Sequence, residues 1–170
     1  MTSRYKLVEI NAMDRQAFIA AFGAVFEASP WAAEAAWQSR PFTNAAHAAE
    51  ALFAAVRNAG RERQLALLRA HPELGARKPL AEFSAREQAG AGLQREQDEQ
   101  VALLADLNRR YREKFGFPFI LAVKGLNPDK IITRFRARLE NEPEEEFNEC
   151  LEQVFRIAAY RLEDILGAEL

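Results

Sequence analysis

The feature that most narrows the fold of this 170-residue chain is its last long stretch. From Glu144 to Leu166 no glycine or proline interrupts, and Phe147, Leu151, Val154, Ala158, Leu162 and Ile165 recur at steps of three or four. That spacing lines one face of an α-helix; a strand would need alternation at every second residue. A helix with one apolar stripe must bury it against other elements. The rest of the chain supplies helices for that purpose: Ala, Leu, Glu, Arg and Gln are abundant, and runs of β-branched residues are nearly absent.

Start and stop signals divide the chain. Asn11 can cap a helix from near Met13, on which Phe18, Phe22, Val25 and Phe26 follow at helical spacing. Ser29-Pro30 opens a short helix through Trp37, whose two tryptophans, Trp31 and Trp37, read as core. Thr43 or Asn44 caps a helix to about Arg57, halted by Asn58-Ala-Gly60, and Arg61 to Arg69 forms another. From His71 to Leu80 the pattern stops, because residues preceding Pro72 and Pro79 are pushed out of the helical region. Ser84 restarts a helix, and a long one runs from about Arg95 to Phe115, ended by Gly116. Phe117 to Val123 reads as a buried extended segment. Asn127-Pro128 opens a helix with Ile131, Ile132, Phe135 and Leu139 on one side, and the last helix spans about Pro143 to Leu166. The predicted architecture is all-α: a single-domain bundle over residues 1–170, of roughly eight helices with one long irregular loop.

Composition removes several functions. With 49% hydrophobic residues at this length, the chain can bury a core without a disulfide or metal staple. Its 23 Lys+Arg stand against 25 Asp+Glu, which argues against a nucleic-acid partner held by bulk charge. A single cysteine, Cys150, excludes an internal disulfide, a redox pair and a Cys-rich zinc site, and two histidines, His47 and His71, exclude a multi-His metal site. Met1 to Leu7 lacks the apolar core of a signal peptide, and Gly167 to Leu170 is not a peroxisomal address. No apolar run approaches the ~20 residues of a membrane span. The expectation is a soluble cytoplasmic protein with no membrane partner.

Few residues could carry chemistry. His71 stands at a helix exit in the irregular loop, where an imidazole can exchange a proton at neutral pH; it could equally cap the preceding carbonyls. Ser84-Ala-Arg-Glu87 fits a capping box, and the same helix start, with Glu87 and Gln88 at its rim, suits an anionic ligand. Arg161 falls on the flank of the last helix's apolar stripe, where a guanidinium wants an anionic partner or snorkels outward. Phe115 to Phe119 could wall a pocket or simply fill a core. The acidic run Glu142 to Glu146 reads as a complement to a helix dipole, and Lys130, Arg134, Arg136 and Arg138 read as a solvated face.

Taken in order, His71-Pro-Glu-Leu-Gly75, Phe83-Ser-Ala-Arg-Glu-Gln88 with Ala91-Gly-Leu93, Asn108-x-x-Tyr111-x-x-Lys114-Phe-Gly-Phe-Pro-Phe-Ile120, Arg138-Leu-x-Asn141 and Arg161-Leu resemble the 2-oxo-4-hydroxy-4-carboxy-5-ureidoimidazoline (OHCU) decarboxylases of urate breakdown. The likeness runs from Phe22 to Leu166. It implies an all-α fold, no cofactor, no metal, and conversion of the small-molecule substrate OHCU to (S)-allantoin and CO2. It places the catalytic histidine on His71, with Pro72 beside it at the substrate; our reading of the residues makes Glu87 a second catalytic group, a proton carrier. It places substrate contacts on Ser84, Ala85, Arg86, Glu87 and Gln88, on the backbone of Phe119, Ile120, Leu121, Ala122 and Val123, and on Arg161. It also allows a homodimer. Other readings are a cofactor-free lyase or isomerase acting on another small anionic heterocycle, and a non-catalytic helical interaction module. The module reading expects loss of His71, Glu87 or Arg161, and all three are present. Because the chain holds neither a three-ligand metal set nor a Gly-rich phosphate loop, activity is expected to survive exhaustive chelation with nothing added back. An assay of CO2 release before and after chelator treatment checks this.

Overall fold

A computed structural model describes residues 5–75 and 98–167. Among these residues 69% are helical and none forms a strand. Eight helices are described: α1 (Leu7–Ala12), α2 (Arg15–Phe22), α3 (Trp31–Trp37), α4 (Ala45–Arg57), α5 (Arg61–Ala70), α6 (Asp98–Phe115), α7 (Pro128–Leu139) and α8 (Pro143–Leu166). The all-α expectation is met, but not helix for helix. α1 is additional to those predicted, and the helix expected from Ser84 lies outside the described residues.

Local chemistry explains most boundaries. Side-chain oxygens of Asp14, Asn44 and Asn127 accept the backbone N–H groups of Ala17, His47 and Lys130 at 2.8, 2.8 and 2.9 Å, each satisfying an orphan donor of a first turn. Pro128 follows Asn127 where its missing N–H costs nothing. Two expected caps are corrected. Asn11 lies inside α1, and its amide brackets the Phe42 backbone instead, donating to the carbonyl at 2.9 Å and accepting the N–H at 2.8 Å. The Ser29 hydroxyl donates to the Glu27 carbonyl at 2.8 Å rather than capping α3. Trp31 and Trp37 are also corrected: both are half-buried rather than core. The Trp37 indole N–H donates to the Met13 carbonyl at 3.2 Å, and Arg40 and Arg63 lie over the Trp37 and Trp31 rings. An indole with a polar edge and a face that attracts cations is stable at such a rim.

The chain packs as two compact units, residues 1–67 with 155–170, and residues 68–154. In the first, α2 packs on α3 and α3 on α4. Phe18, Phe22, Val25 and Phe26 are buried although the last two lie beyond the end of α2, so packing rather than helix continuation holds them. Alanines 32, 33 and 36 of α3 and 48 and 49 of α4 are buried, and such small side chains permit close helix approach.

The second unit is organised around a polar knot in an aromatic shell. Arg138 and Glu146 are 8% and 0% exposed, which corrects the solvated face for Arg138; Glu146 stands in the first turn of α8, as expected, but is buried there. Arg138 Nε donates to Glu146 Oε1 at 2.7 Å and its Nη1 to the Ile120 carbonyl at 2.6 Å. Asn141 Nδ2 donates to Glu146 Oε2 at 2.9 Å, and the Tyr111 hydroxyl donates to Glu146 Oε1. Cys150 Sγ lies 3.2 Å from the Tyr111 hydroxyl and 3.1 Å from Arg138 Nη2. Burial pushes the Cys150 thiol up to about 11, so it stays protonated at neutral pH, and burial likewise raises the Tyr111 phenol. Around the knot, Phe119 stacks on Phe135 with centroids 3.9 Å apart, and Tyr111 meets both edge-on. Arg138 lies 4.5 Å over the Phe119 ring.

A buried ion pair is costly to break on one side only, because the remaining charge stays desolvated. Arg138→Met is therefore expected to destabilise the protein by about 3–5 kcal/mol, read from urea unfolding followed by tyrosine and tryptophan fluorescence.

Candidate active site

His71 follows directly on the last residue of α5, and its backbone N–H closes a turn on the Leu68 carbonyl at 3.2 Å. The residue is 6% exposed, so its imidazole is buried rather than solvated. Pro72 beside it is half-buried. The loop then runs along α6. Glu73 pairs with Arg112 at 3.0 Å, and the Leu74 carbonyl accepts from Asn108 Nδ2 at 2.9 Å. Gly75 has φ +78°, a conformation that L side chains rarely adopt, and a Cβ there would meet Leu104 Cδ1 at 3.2 Å. Glycine is thus required twice at this position, by backbone conformation and by close approach.

The segment from Phe119 to Val123 is non-helical, as expected, and buried except at half-buried Ala122. Its backbone is held at two points. Arg138 takes the Ile120 carbonyl, and the Ala122 N–H donates to Gln153 Oε1 at 3.0 Å. Gln153 is in turn fixed by donating to Glu149 at 2.7 Å, one turn away on α8. A turn from Val123 to Leu126 closes the segment, the Leu126 N–H donating to the Val123 carbonyl at 3.0 Å. A backbone without helix or sheet partners is costly to bury, and these side chains meet part of that need.

Arg161 belongs to the first unit. It is 1% exposed, so it does not snorkel. Its guanidinium donates to Glu27 Oε1 at 2.8 Å and to the Val25 carbonyl at 2.9 Å, and Glu27 is itself 3% exposed. The anionic partner expected for this arginine therefore exists within the chain. Just after it, Ala28 has φ +45°, a left-handed conformation that costs a non-glycine residue roughly 1–2 kcal/mol.

The structure therefore sorts the sequence-derived candidates into three sets. His71, Pro72 and Phe119 to Val123 lie in the second unit, and Arg161 lies in the first. Ser84, Ala85, Arg86, Glu87 and Gln88 lie outside the described residues. Among the described residues no group of three His, Cys, Asp or Glu side chains could hold a metal ion, and no helix is long and apolar enough to cross a membrane.

The sequence does not single out Glu27 or Gln153, and it gives Asn108, Arg138 and Glu146 no buried supporting role. For Arg138 a signal existed: Ile131, Phe135 and Arg138 are spaced four and three apart, placing the arginine on the apolar face of α7. Glu146, Cys150 and Gln153 repeat that spacing on α8. Glu27 lies 134 residues from Arg161, and nothing local announces the pair.

The chain is similar to known proteins along nearly its whole length. The family model for OHCU decarboxylase matches residues 11–163. A 2-oxo-4-hydroxy-4-carboxy-5-ureidoimidazoline decarboxylase of Haloferax volcanii is 42% identical over 96% of this chain and 97% of its own length. A uric acid degradation bifunctional protein of Bacillus subtilis is 40% identical over 95% of this chain, which spans 33% of that protein. Among solved structures, an (S)-allantoin synthase superposes with a TM-score of 0.77 at 27% identity, covering 95% of this chain and 54% of its own. With a match across nearly its whole length in both sequence and fold, the chain belongs to the OHCU decarboxylase family.

Proposed function

We propose that this chain is a carboxy-lyase that converts OHCU to (S)-allantoin and CO2 in urate degradation. The observation that carries the reading is the near-full-length identity to a decarboxylase of that name. The site assignment rests on the family resemblance and gains physical support from the structure. A buried imidazole on a gripped loop can hold one orientation, and a pinned backbone can present fixed polar atoms to a small ring.

The chemistry asks little of a cofactor. When the carboxylate leaves as CO2, its bonding electrons spread into the ring's adjoining C=N and C=O system, so no separate electron sink is needed. One proton must then reach carbon from one face only. In our reading His71 hydrogen-bonds or deprotonates the hydroxyl beside the leaving carboxylate. Glu87 delivers or relays the proton that sets the stereocentre. Arg161, the backbone of Phe119 to Val123 and the segment Ser84 to Gln88 hold the polar edge of the ring. Glu27, by binding the Arg161 guanidinium, holds that side chain in one orientation. The enzyme works in the cytoplasm on a small molecule, with no nucleic acid.

His71→Ala is expected to abolish stereospecific allantoin formation while leaving the helical circular dichroism intact. Optical rotation of product from freshly generated OHCU is the readout, because uncatalysed product is racemic. Glu87→Gln is expected to lose at least ~10²-fold in rate, the size of a general acid–base contribution, with stability within about 0.5 kcal/mol of wild type. A variant that still makes (S)-allantoin at near the wild-type rate would reduce Glu87 to a helix cap.

A further inference from the structure

Three side chains on one face of α6 meet three consecutive residues of the His71 loop. Leu104, Asn108 and Arg112 are spaced four apart and so lie one above the other. They contact Gly75, Leu74 and Glu73 in that order, so the loop runs antiparallel to the helix. The outermost contact, Arg112 with Glu73, is half-exposed and weak in water. The innermost is a steric limit set by a glycine. The central one, Asn108 to the Leu74 carbonyl, is the buried directional bond: Asn108 is 7% exposed. Its amide can adopt only one orientation, since a flip would set Oδ1 against the carbonyl oxygen. In that orientation Oδ1 is buried and meets no donor among the described residues. A buried acceptor left so is a liability for stability, so packing alone does not favour asparagine here.

We propose that Asn108 is the positioning residue for His71 in the decarboxylation: it fixes the loop through the Leu74 carbonyl, three residues beyond the imidazole, without itself doing the chemistry. The inference rests on the reaction proposed above. A displacement of about 1 Å in a reacting group can cost ~10²-fold in rate, so a single buried hydrogen bond to this loop has kinetic leverage.

Asn108→Leu separates the positioning role from a packing role. It removes the bond to Leu74 but also removes the buried acceptor and adds apolar contact. The melting temperature is therefore expected within about 5 °C of wild type, while kcat for OHCU falls ~10²-fold and KM stays within about twofold. Asn108→Asp, nearly isosteric but unable as a carboxylate to donate to Leu74, is the second variant and should lose kcat likewise. Because His47 and His71 are the only histidines, the His71 ring proton can be assigned in a nuclear magnetic resonance spectrum with His71→Ala. It should shift or broaden in both variants while His47 does not. A folded variant with kcat within about twofold of wild type would overturn the proposal. So would a raised KM at unchanged kcat, which would mean that Asn108 touches substrate. Failure of both variants to fold would make it a packing residue and overturn the proposal as well. A wild-type chain that does not decarboxylate OHCU would end the proposed reaction instead, and the displaced His71 resonance would still report the clamp.

Discussion

The buried pair of Arg138 and Glu146 is the interaction on which the second unit depends. Glu146 has no solvent, and Arg138, Asn141 and Tyr111 all donate to its carboxylate in water's place. Arg138 in turn spends a further N–H on the Ile120 carbonyl. One guanidinium therefore neutralises an acid of α8 and anchors the irregular segment after Phe119. The planar fork of arginine suits this, because it meets two acceptors in fixed directions, whereas a lysine would offer a single rotating point charge. The surrounding aromatic rings exclude water and so strengthen each of these bonds. Replacing the knot by apolar groups could match its stability, but only polar atoms can grip a backbone carbonyl in a given place.

A common design recurs at each candidate element. The His71 loop is gripped by Asn108 and Arg112, the Phe119 segment by Arg138 and Gln153, and Arg161 by Glu27 and a carbonyl. In the first two cases irregular backbone is fixed by side chains from regular helices; in the third a helix arginine and the irregular connection after α2 hold each other. Helices carry their own hydrogen bonds and can lend side chains to segments that have none. For a reaction whose main demand is that a proton arrive on one face of a planar carbon, rigid placement matters more than reactive power. The chemistry proposed here asks for few catalytic groups and many supporting ones, and the buried polar residues supply that ratio.

The helix plan was legible because its signals are local. Asn44, Asn127 with Pro128, the Asn58 to Gly60 stop and the glycines 116 and 167 act on their own neighbours, and the helices begin or end where they stand. Where local signals competed, the sequence misled. Asn11 and Ser29 are good caps by type, but each found another partner: Asn11 a backbone distant in sequence, and Ser29 a carbonyl in its own turn. The tryptophans were misjudged because hydrophobicity does not reveal whether an indole N–H and its face have partners at a rim. His71, Pro72 and Arg161 could be singled out by residue type, loop position and resemblance, but not the side chains that hold them.

By itself the sequence determined that this chain is helical, where most of its helices begin and end, that no disulfide forms within it, and which family it resembles. Those properties follow from periodicity, caps, counts and ordered motifs, all of which can be read along one dimension. Tertiary structure alone decided that Arg138 and Glu146 are interior, that Glu27 serves Arg161 across 134 residues, and that one face of α6 holds the His71 loop. A charge's burial depends on what surrounds it in three dimensions. Charged residues are exposed by default, and only the folded chain brings a buried one its partners.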